Sequence, residues 1–276
     1  MDSSRLKTII LVLLLSLNIA LLAVVIADRQ ASITADEELQ RTALSVLEEN
    51  GLQLADGAEL SAQQPRVYSV MRSLDDEEKY VGAVLGNPLS VQDSGGIRYY
   101  EGSTGMGRFH GTGEFEVYLT SGTYTGSDNG IRASIAFLKD MGVEIYEPLT
   151  VSTNGNSGVI VTTICAVKDA PVYNCAVTLS FIDESLMAIS GYRPFYDVKE
   201  SESGEAPLDI YTVLLRFLSV IRSEGAVGRE LTDVELGYKL VSSLSGESLL
   251  TPVWHFVTDT GEYYIDGLTG EQIVAF

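Results

Sequence analysis

The chain opens with a hydrophobic pattern that differs from everything after it. Residues Thr8–Ala27 carry no charge, and twenty such residues form a helix of about 30 Å, enough to cross a bilayer core. Arg5 and Lys7 precede this segment, and Asp28 opens an acidic remainder. Because basic flanks stay on the cytoplasmic side, the pattern predicts a single-pass protein of the cell membrane. Its N-terminus would be cytoplasmic and its C-terminal region extracellular.

The same segment has a second interpretation as a cleaved signal peptide. Val25-Ile26-Ala27 places small residues where a signal peptidase cuts. Signal peptides usually have an apolar region of about 7–15 residues, however, and this one is longer. The length therefore favours a retained anchor.

The predicted membrane helix has two distinct faces. Ser16, Ala20, Ala23 and Ala27 fall on one stripe of small residues, which allows a second helix to approach closely. Asn18 lies roughly opposite, where its amide would seek a hydrogen-bonding partner in the hydrocarbon. These five residues are the candidate contacts of the transmembrane helix. The alternative for the stripe is that Ala and Ser are simply common in membrane spans. Only seven residues precede the span, so we expect any signal to the cytoplasm to pass through the span itself.

Beyond the span, helical periodicity recurs three times. Each of the three segments has an apolar stripe and ends in a glycine, which suits the left-handed conformation that closes a helix. Asp36, Asp128 and Asp209 are candidate residues for the helix starts. The three stripes are Leu39, Ala43, Leu44 and Leu47 before Gly51; Ile131, Ile135 and Leu138 before Gly142; and Leu214, Phe217, Leu218 and Ile221 before Gly225.

Runs of alternating or β-branched residues follow each helix and predict strands. They are residues 67–70, 79–85, 97–100 and 114–119; 143–146, 159–167, 172–182 and 186–192; and 235–240, 252–257, 262–265 and 272–276. Helices alternating with hairpins indicate an α+β fold built of repeated helix-plus-antiparallel-sheet units. With a boundary near residues 122–127, the expected organisation is an anchor over 1–28, one α+β unit over 29–125 and a second over 126–276.

Composition narrows the range of partners. The 276 residues carry a formal net charge of −20, which argues against nucleic acid or anionic surfaces as partners. A soluble extracytoplasmic region, or contact with basic patches of another protein, is compatible with this charge.

The two cysteines, Cys165 and Cys175, flank a predicted turn at Lys168-Asp169-Ala170-Pro171. If the turn centres on Ala170, they face each other across a hairpin, at a Cα separation of about 4.5–5.5 Å that permits a disulfide. Two buried free thiols are the alternative.

Three motifs suggest chemistry but have simpler explanations. Asp259-Thr260-Gly261 resembles an aspartic-protease triplet, but it occurs once and suits a tight turn. The glycine-rich segment 102–113 lacks a nucleotide-binding pattern and is expected to form a flexible hairpin loop, with partner or ligand binding as the alternative. His110 and His255 are far apart in sequence, and Trp254 is expected to pack in the core. The sequence therefore offers no catalytic, cofactor-binding or metal-binding residues.

Both ends of the chain resemble the YycI family of Firmicutes. The start, Met1-Asp-Ser-Ser-Arg-Leu-Lys-Thr-Ile-Ile10 running into Leu17-Asn18, is similar to the family's opening, although Ser3 replaces its more frequent Trp. Near the end, Pro252-Val-Trp254, Gly261-Glu-Tyr-Tyr264 and Asp266-Gly-Leu-Thr-Gly-Glu271 are similar to the closing hairpins of YycI and of PepSY-like units.

This resemblance implies a non-enzymatic regulator without a cofactor. Its implied partners are a YycH-like protein and the WalK (YycG) sensor histidine kinase of a two-component system that controls the cell wall. Contacts would run through the membrane helices and the extracytoplasmic regions. Two other function classes remain open, an extracytoplasmic PepSY-type ligand-binding or protease-inhibitor module and a cell-wall hydrolase. The hydrolase would need a polar pocket around His110 or Asp259.

Overall fold

The structure is a computed structural model. It describes residues 38–56, 58, 60, 64–120, 122–126, 128–154, 158–192, 197–201, 206–225, 229–242, 247–274 and 276. The predicted membrane helix, with Ser16, Asn18, Ala20, Ala23 and Ala27, lies outside these residues. Among the residues described, there is no helix with the length and hydrophobicity needed to cross a membrane.

The chain divides into two compact units, Met1–Leu54 and Ala55–Phe276. In the first unit, the described residues form helix α1, seen over residues 38–49, and a short strand β1, Gln53–Leu54. The predicted helix end is confirmed, because Gly51 has a φ of 80° and the Leu52 N–H donates to the Leu47 carbonyl at 3.1 Å.

The second unit repeats one pattern three times, a helix followed by four strands that pair antiparallel in chain order. The α+β class is therefore confirmed. The first repeat follows strand β2, Tyr68–Met71, and contains α2 Leu74–Leu85, β3 Ser90–Ser94, β4 Ile97–Gly102, β5 Gly105–His110 and β6 Glu114–Leu119. The second contains α3 Ile131–Asp140, β7 Ile145–Asn154, β8 Gly158–Val167, β9 Ala170–Ile182 and β10 Ser185–Tyr192. The third follows β11, Asp197–Glu200, and contains α4 Ile210–Glu224, β12 Glu230–Val241, β13 Glu247–Thr258, β14 Gly261–Asp266 and β15 Gln272–Ile273.

The first two repeats share one sheet, because their last strands, β6 and β10, pair antiparallel. We call it the long sheet, with the order β7-β8-β9-β10-β6-β5-β4-β3. The third repeat forms the short sheet, in which β13 pairs with β12 on one side and with β2 and β14 on the other. A single parallel pair, Tyr238 with Val172, links the two sheets. The long sheet also runs continuously across the boundary predicted near residues 122–127.

One predicted element is wrong: residues 79–85 belong to helix α2, not to a strand. Ser73 caps the helix by accepting a hydrogen bond from the Asp76 N–H at 3.3 Å, and acidic residues occupy the first turn. Val81, Val84 and Leu85 lie on its buried face together with Glu77. That buried glutamate concealed the helical period, so the apolar run after it looked like a strand.

Another correction concerns the glycine-rich segment 102–113, which forms strand β5 and the tight turns on either side of it rather than a flexible loop. In the first of these turns, Thr104 donates from its N–H to the Leu85 carbonyl at 3.0 Å and from its hydroxyl to the Val84 carbonyl at 2.8 Å. A Cβ on Gly102 would lie 2.1 Å from the Leu85 carbonyl oxygen. Glycine is thus needed because this turn closes the end of α2.

Three helix ends behave as the sequence indicates. Gly142 and Gly225 have φ values of 68° and 67°, and the Asp209 carboxylate accepts from the Thr212 N–H at 2.9 Å. The expected stripe of α4 is buried in full. In α3, Leu138 is buried, but Ile135 is exposed and Phe137 is buried in its place.

Helices α2 and α3 supply the core on one face of the long sheet. Phe109 and Phe115 stack at 5.6 Å beneath α2, and Phe137 of α3 packs against Tyr124 in a T-shaped, edge-to-face contact at 5.3 Å. On the short sheet, Phe217 of α4 stacks on Phe256 at 4.3 Å. Fully burying an aromatic or aliphatic side chain of this size stabilises a fold by roughly 1.5–3 kcal/mol.

A buried carboxylate ties α2 to the long sheet. Glu77 is fully buried and receives two hydrogen bonds from Arg72, at 2.7 and 2.8 Å, and one from the Tyr100 hydroxyl at 2.7 Å. Arg72 also donates to the Phe109 carbonyl at 3.2 Å. Burial, followed by the contact with Glu77, raises the pKa of Tyr100 to about 12, so its hydroxyl stays protonated as a donor.

We predict that Glu77→Gln lowers the free energy of unfolding by about 3 kcal/mol, because it removes one partner of a buried ion pair. Urea unfolding followed by circular dichroism measures the loss. The control is Glu78→Gln, whose half-exposed carboxylate pairs with Arg98 and should cost less than about 1 kcal/mol. Equal losses in the two variants would contradict a special role for Glu77.

A second prediction concerns acid stability and Asp266, a buried residue beside Lys239. Burial alone would raise the pKa of this carboxyl, but the Lys239 ammonium and the N–H groups of Thr269 and Leu268 lower it below its ordinary value. A lowered folded-state pKa gives stability that is present above the unfolded-state pKa of about 3.9 and is lost as the pH falls through the folded-state value.

The free energy of unfolding of the wild type should therefore exceed that of Asp266→Asn by about 1.5 kcal/mol at pH 7. This difference should shrink below pH 4. Unfolding in urea at pH 7 and pH 3 tests this, with Asp197→Asn, which breaks an exposed ion pair with Lys199, as the neutral control. If the difference in stability between wild type and Asp266→Asn is the same at pH 3 as at pH 7, the pKa of Asp266 is not lowered by folding.

Candidate functional site

Helices α2 and α3 both lie on one face of the long sheet, and neither of them covers the opposite face. Along β3–β6, Tyr100, Phe109 and Val117 point towards α2 and are buried, so the residues between them point the other way. We call these outward side chains the open face. The strand register arranges them in two rows, Gln92, Tyr99, Arg108 and Glu116 in one, and Ser90, Glu101, Met106 and Tyr118 in the next.

The open face encloses a groove of about 380 Å³, lined by both rows. This volume lies within the range of small-ligand sites, roughly 300–1,000 Å³. Tyr99, Met106 and Tyr118 are 43%, 56% and 52% exposed, so the groove presents large apolar surfaces to the solvent. Exposed aromatic and thioether groups grouped in a concavity are typical of binding surfaces.

Two of the three charges in the groove neutralise each other. Arg108 donates to one oxygen of Glu116 at 2.6 Å, and the Tyr118 hydroxyl donates to the other at 3.0 Å. The hydrogen bond from Arg108 lowers the pKa of Glu116, and the hydrogen bond to Glu116 raises the pKa of Tyr118. The carboxylate of Glu101 has no side-chain hydrogen bond or ion pair with any described residue, so it carries the net charge of the groove.

The side chains that line the groove are of the kinds that bind small ligands. Its carboxylate, guanidinium, amide and hydroxyl groups can orient a polar ligand, and its aromatic rings can pack against apolar groups. Among the described residues that line it, histidine, cysteine and lysine are absent. Nor do the described parts of the chain contain a group of three or more side chains arranged to hold a metal ion.

A second aromatic cluster lies on the short sheet and contains His255. The His255 ring stacks on Tyr264 at 4.4 Å, and the Nε2 atom of His255 lies 3.2 Å from a carboxylate oxygen of Glu262. Tyr173 packs against both rings in T-shaped, edge-to-face contacts, and its hydroxyl donates a hydrogen bond to Glu235 at 3.3 Å. Burial is the main reason why the pKa of Tyr173 is raised, so this hydroxyl stays neutral and the cluster acts as a packed, hydrogen-bonded unit.

The motifs singled out in the sequence occupy separate places. Asp259 lies in the turn between β13 and β14, and its carboxylate accepts from the N–H groups of Arg229 and Glu230 at 2.9 and 3.3 Å. The turn interpretation is therefore confirmed. His110 ends β5 opposite Ile97, and Trp254 is fully buried, as expected of a core residue.

Cys165 and Cys175 are both buried free thiols on neighbouring strands β8 and β9. The turn is centred on Lys168 and Asp169, both at positive φ, rather than on Ala170. Beyond this turn the register shifts, and Ile164 pairs with Ala176, so the next residues along that register are the two cysteines. Burial raises the pKa of Cys165 to about 12 and also raises that of Cys175. The disulfide stays a prediction.

The open face was not predicted from the sequence, because two of its four strands, β3 and β5, were not identified. Strand β3 is short and polar, and β5 lies within the glycine-rich segment. A signal was present in β6, where the buried Phe115, Val117 and Leu119 alternate with outward residues. The same alternation in β4 and β5 would have placed Tyr99 and Arg108 outward.

The buried thiols lead to a prediction about reactivity. In reduced native protein at pH 8, both cysteines should react with iodoacetamide at least a hundredfold more slowly than in 6 M guanidinium, because the reactive species is the thiolate. Mass spectrometry after timed quenching, with reductant present to exclude a disulfide, provides the measurement. Rapid labelling of either cysteine in the folded protein would contradict the burial.

Comparisons with known proteins give weak likenesses. No family model and no curated protein matches the chain. One similar solved structure is an uncharacterized protein from Eubacterium rectale ATCC 33656, with 13% identity, a TM-score of 0.45, and coverage of 78% of this chain and 86% of that one. Another is the YpeB C-terminal domain of Bacillus megaterium, with 13% identity, a TM-score of 0.34, and coverage of 74% and 96%. At these TM-scores neither likeness carries an argument about function, and the resemblance to YycI gains no support from the comparisons.

Proposed function

We propose that this protein is a non-enzymatic regulator, anchored in the cell membrane through Thr8–Ala27, that modulates a sensor histidine kinase controlling the cell wall. The kinase, of the WalK (YycG) type, and a YycH-like partner are taken from the resemblance of the chain ends to the YycI family. The contacts are protein–protein contacts, in the membrane and outside the cytoplasm.

The open face is the observation that supports this function best. Tyr99, Met106 and Tyr118 expose large apolar surfaces next to the ion pair of Arg108 and Glu116. Interfaces between proteins are enriched in tyrosine, methionine and arginine, with polar groups at the rim. In this proposal, the open face is the extracytoplasmic contact, and the stripe of Ser16, Ala20, Ala23 and Ala27, with Asn18 opposite, is the membrane contact.

A second candidate is an extracytoplasmic PepSY-type module that binds a ligand or inhibits a protease. The groove of about 380 Å³ favours it, because a flat interaction surface would not need such a concavity. On this reading the region outside the membrane binds its ligand without any kinase.

The regulator proposal predicts a measurable effect on the kinase. In vesicles containing the kinase from the same organism, adding the full chain should change the rate of kinase autophosphorylation severalfold. Replacing Thr8–Ala27 by an unrelated Leu/Ala helix, or combining Met106→Ala with Tyr118→Ala, should weaken the effect, because each change removes one proposed contact. Autophosphorylation with labelled ATP provides the readout.

The matched control is Leu215→Ala, which removes an exposed apolar side chain from α4 and should leave regulation unchanged. An autophosphorylation rate that does not respond to the wild-type chain would refute the regulator. A response that survives both contact variants at full strength would refute the proposed contacts.

A further inference from the structure

Strand β3 is an exposed edge next to the groove. All five of its residues are exposed, and on one side it pairs with β4. Within the described part of the chain, no strand pairs with its other side. Such an edge presents backbone N–H and C=O groups that can accept an added strand.

The groove beside this edge carries a negative charge that nothing in the described structure compensates. Arg108 and Glu116 are paired at 2.6 Å, which leaves the carboxylate of Glu101 free for a ligand. The rings of Tyr99 and Tyr118 lie in the same groove and can attract a cation through their faces. The ligand chemistry that fits is therefore a positive charge carried on an apolar stem.

The strand register provides a route from the edge to this carboxylate. Ser90 of β3 lies directly opposite Glu101 of β4, and serine is too small to block the path between them. Adjacent strands lie about 4.8 Å apart, so a strand added next to β3 would be two spacings from β4. A lysine or arginine placed beside Ser90 can span that gap, with its stem over the apolar side chains and its head at Glu101.

The geometry points to a basic, extended segment of a protein partner that adds to β3 and places a lysine or arginine side chain in the groove at Glu101. This inference deepens the proposed function and rests on it for the existence of a protein partner. The net charge of −20 favours a basic segment, because opposite charge speeds encounter and rejects acidic competitors.

Peptide binding to the full chain in detergent micelles tests the inference. The probe is an acetylated ten-residue peptide that alternates valine with lysine, measured by fluorescence anisotropy at low salt. A peptide with glutamate in place of lysine should bind at least tenfold more weakly. Two further peptides carry N-methyl groups on either the odd or the even residues. One of them should lose binding and the other keep it, because only alternate N–H groups face β3.

Variants of the chain test whether the carboxylate of Glu101 is the charge that binds the lysine peptide. Glu101→Gln should weaken binding of the lysine peptide about fivefold and Glu101→Lys more strongly, while Glu144→Gln, at an exposed glutamate outside the groove, should leave it unchanged. Raising the salt concentration to 0.5 M should reduce the difference between wild type and Glu101→Gln, since added salt screens exposed charges.

Three results would overturn the inference: equal binding to wild type and Glu101→Gln, equal binding of both N-methylated peptides, or equally tight binding of N-acetyl-lysine amide alone. These failures are distinguishable from failure of the proposed function. A kinase that responds to the chain while Glu101 proves irrelevant would refute only this inference. Peptide binding as described with an unresponsive kinase would refute only the regulator.

Discussion

The antiparallel pairing of β6 with β10 joins the last strands of two repeats and so determines the architecture of the long sheet. Val117 faces Ile189 across this pair, and both are buried. Tyr118 faces Ala188 on the opposite surface. A slip of one residue would exchange these two sets. The register therefore holds α2 and α3 on the same face, and neither of these two helices covers the other face of the sheet.

The open face explains why the candidate site lies on strands rather than on loops. Side chains on a paired strand have fixed positions, so the rows that contain Tyr99 and Glu101 are held in place by the backbone hydrogen bonds of β3–β6. Binding there would require little ordering of the protein, which lowers the entropic cost of association. The excess of acidic residues in the chain adds a preference for basic partners.

The most deeply buried carboxylate among the described residues is that of Glu77, which is held by Arg72 and Tyr100. Burying a charge is unfavourable unless hydrogen bonds compensate it. Here Arg72 donates to both carboxylate oxygens of Glu77, and Tyr100 donates to one of them. Tyr100 lies on the strand that carries Tyr99 and Glu101 outward. The hydrogen bond from its hydroxyl to α2 therefore fixes the helix against the strand that forms the centre of the open face.

Local sequence determined the elements whose signals are contained within a few residues. Helix closure and β-alternation depend on near neighbours, so several elements could be predicted. These are the glycines after α1, α3 and α4, the cap at Asp209, and strands β6, β8, β9 and β10. Helix α2 could not, since its buried face includes Glu77, whose partners Arg72 and Tyr100 are brought to it by folding. Tertiary structure alone decided the β6–β10 pairing, the closure of α2 by the turn at Gly102, and the gathering of Tyr99, Glu101, Arg108 and Tyr118 into one groove. The physical reason is that hydrogen bonds between strands connect residues distant in the chain, and no periodicity within one strand specifies which strand lies beside it.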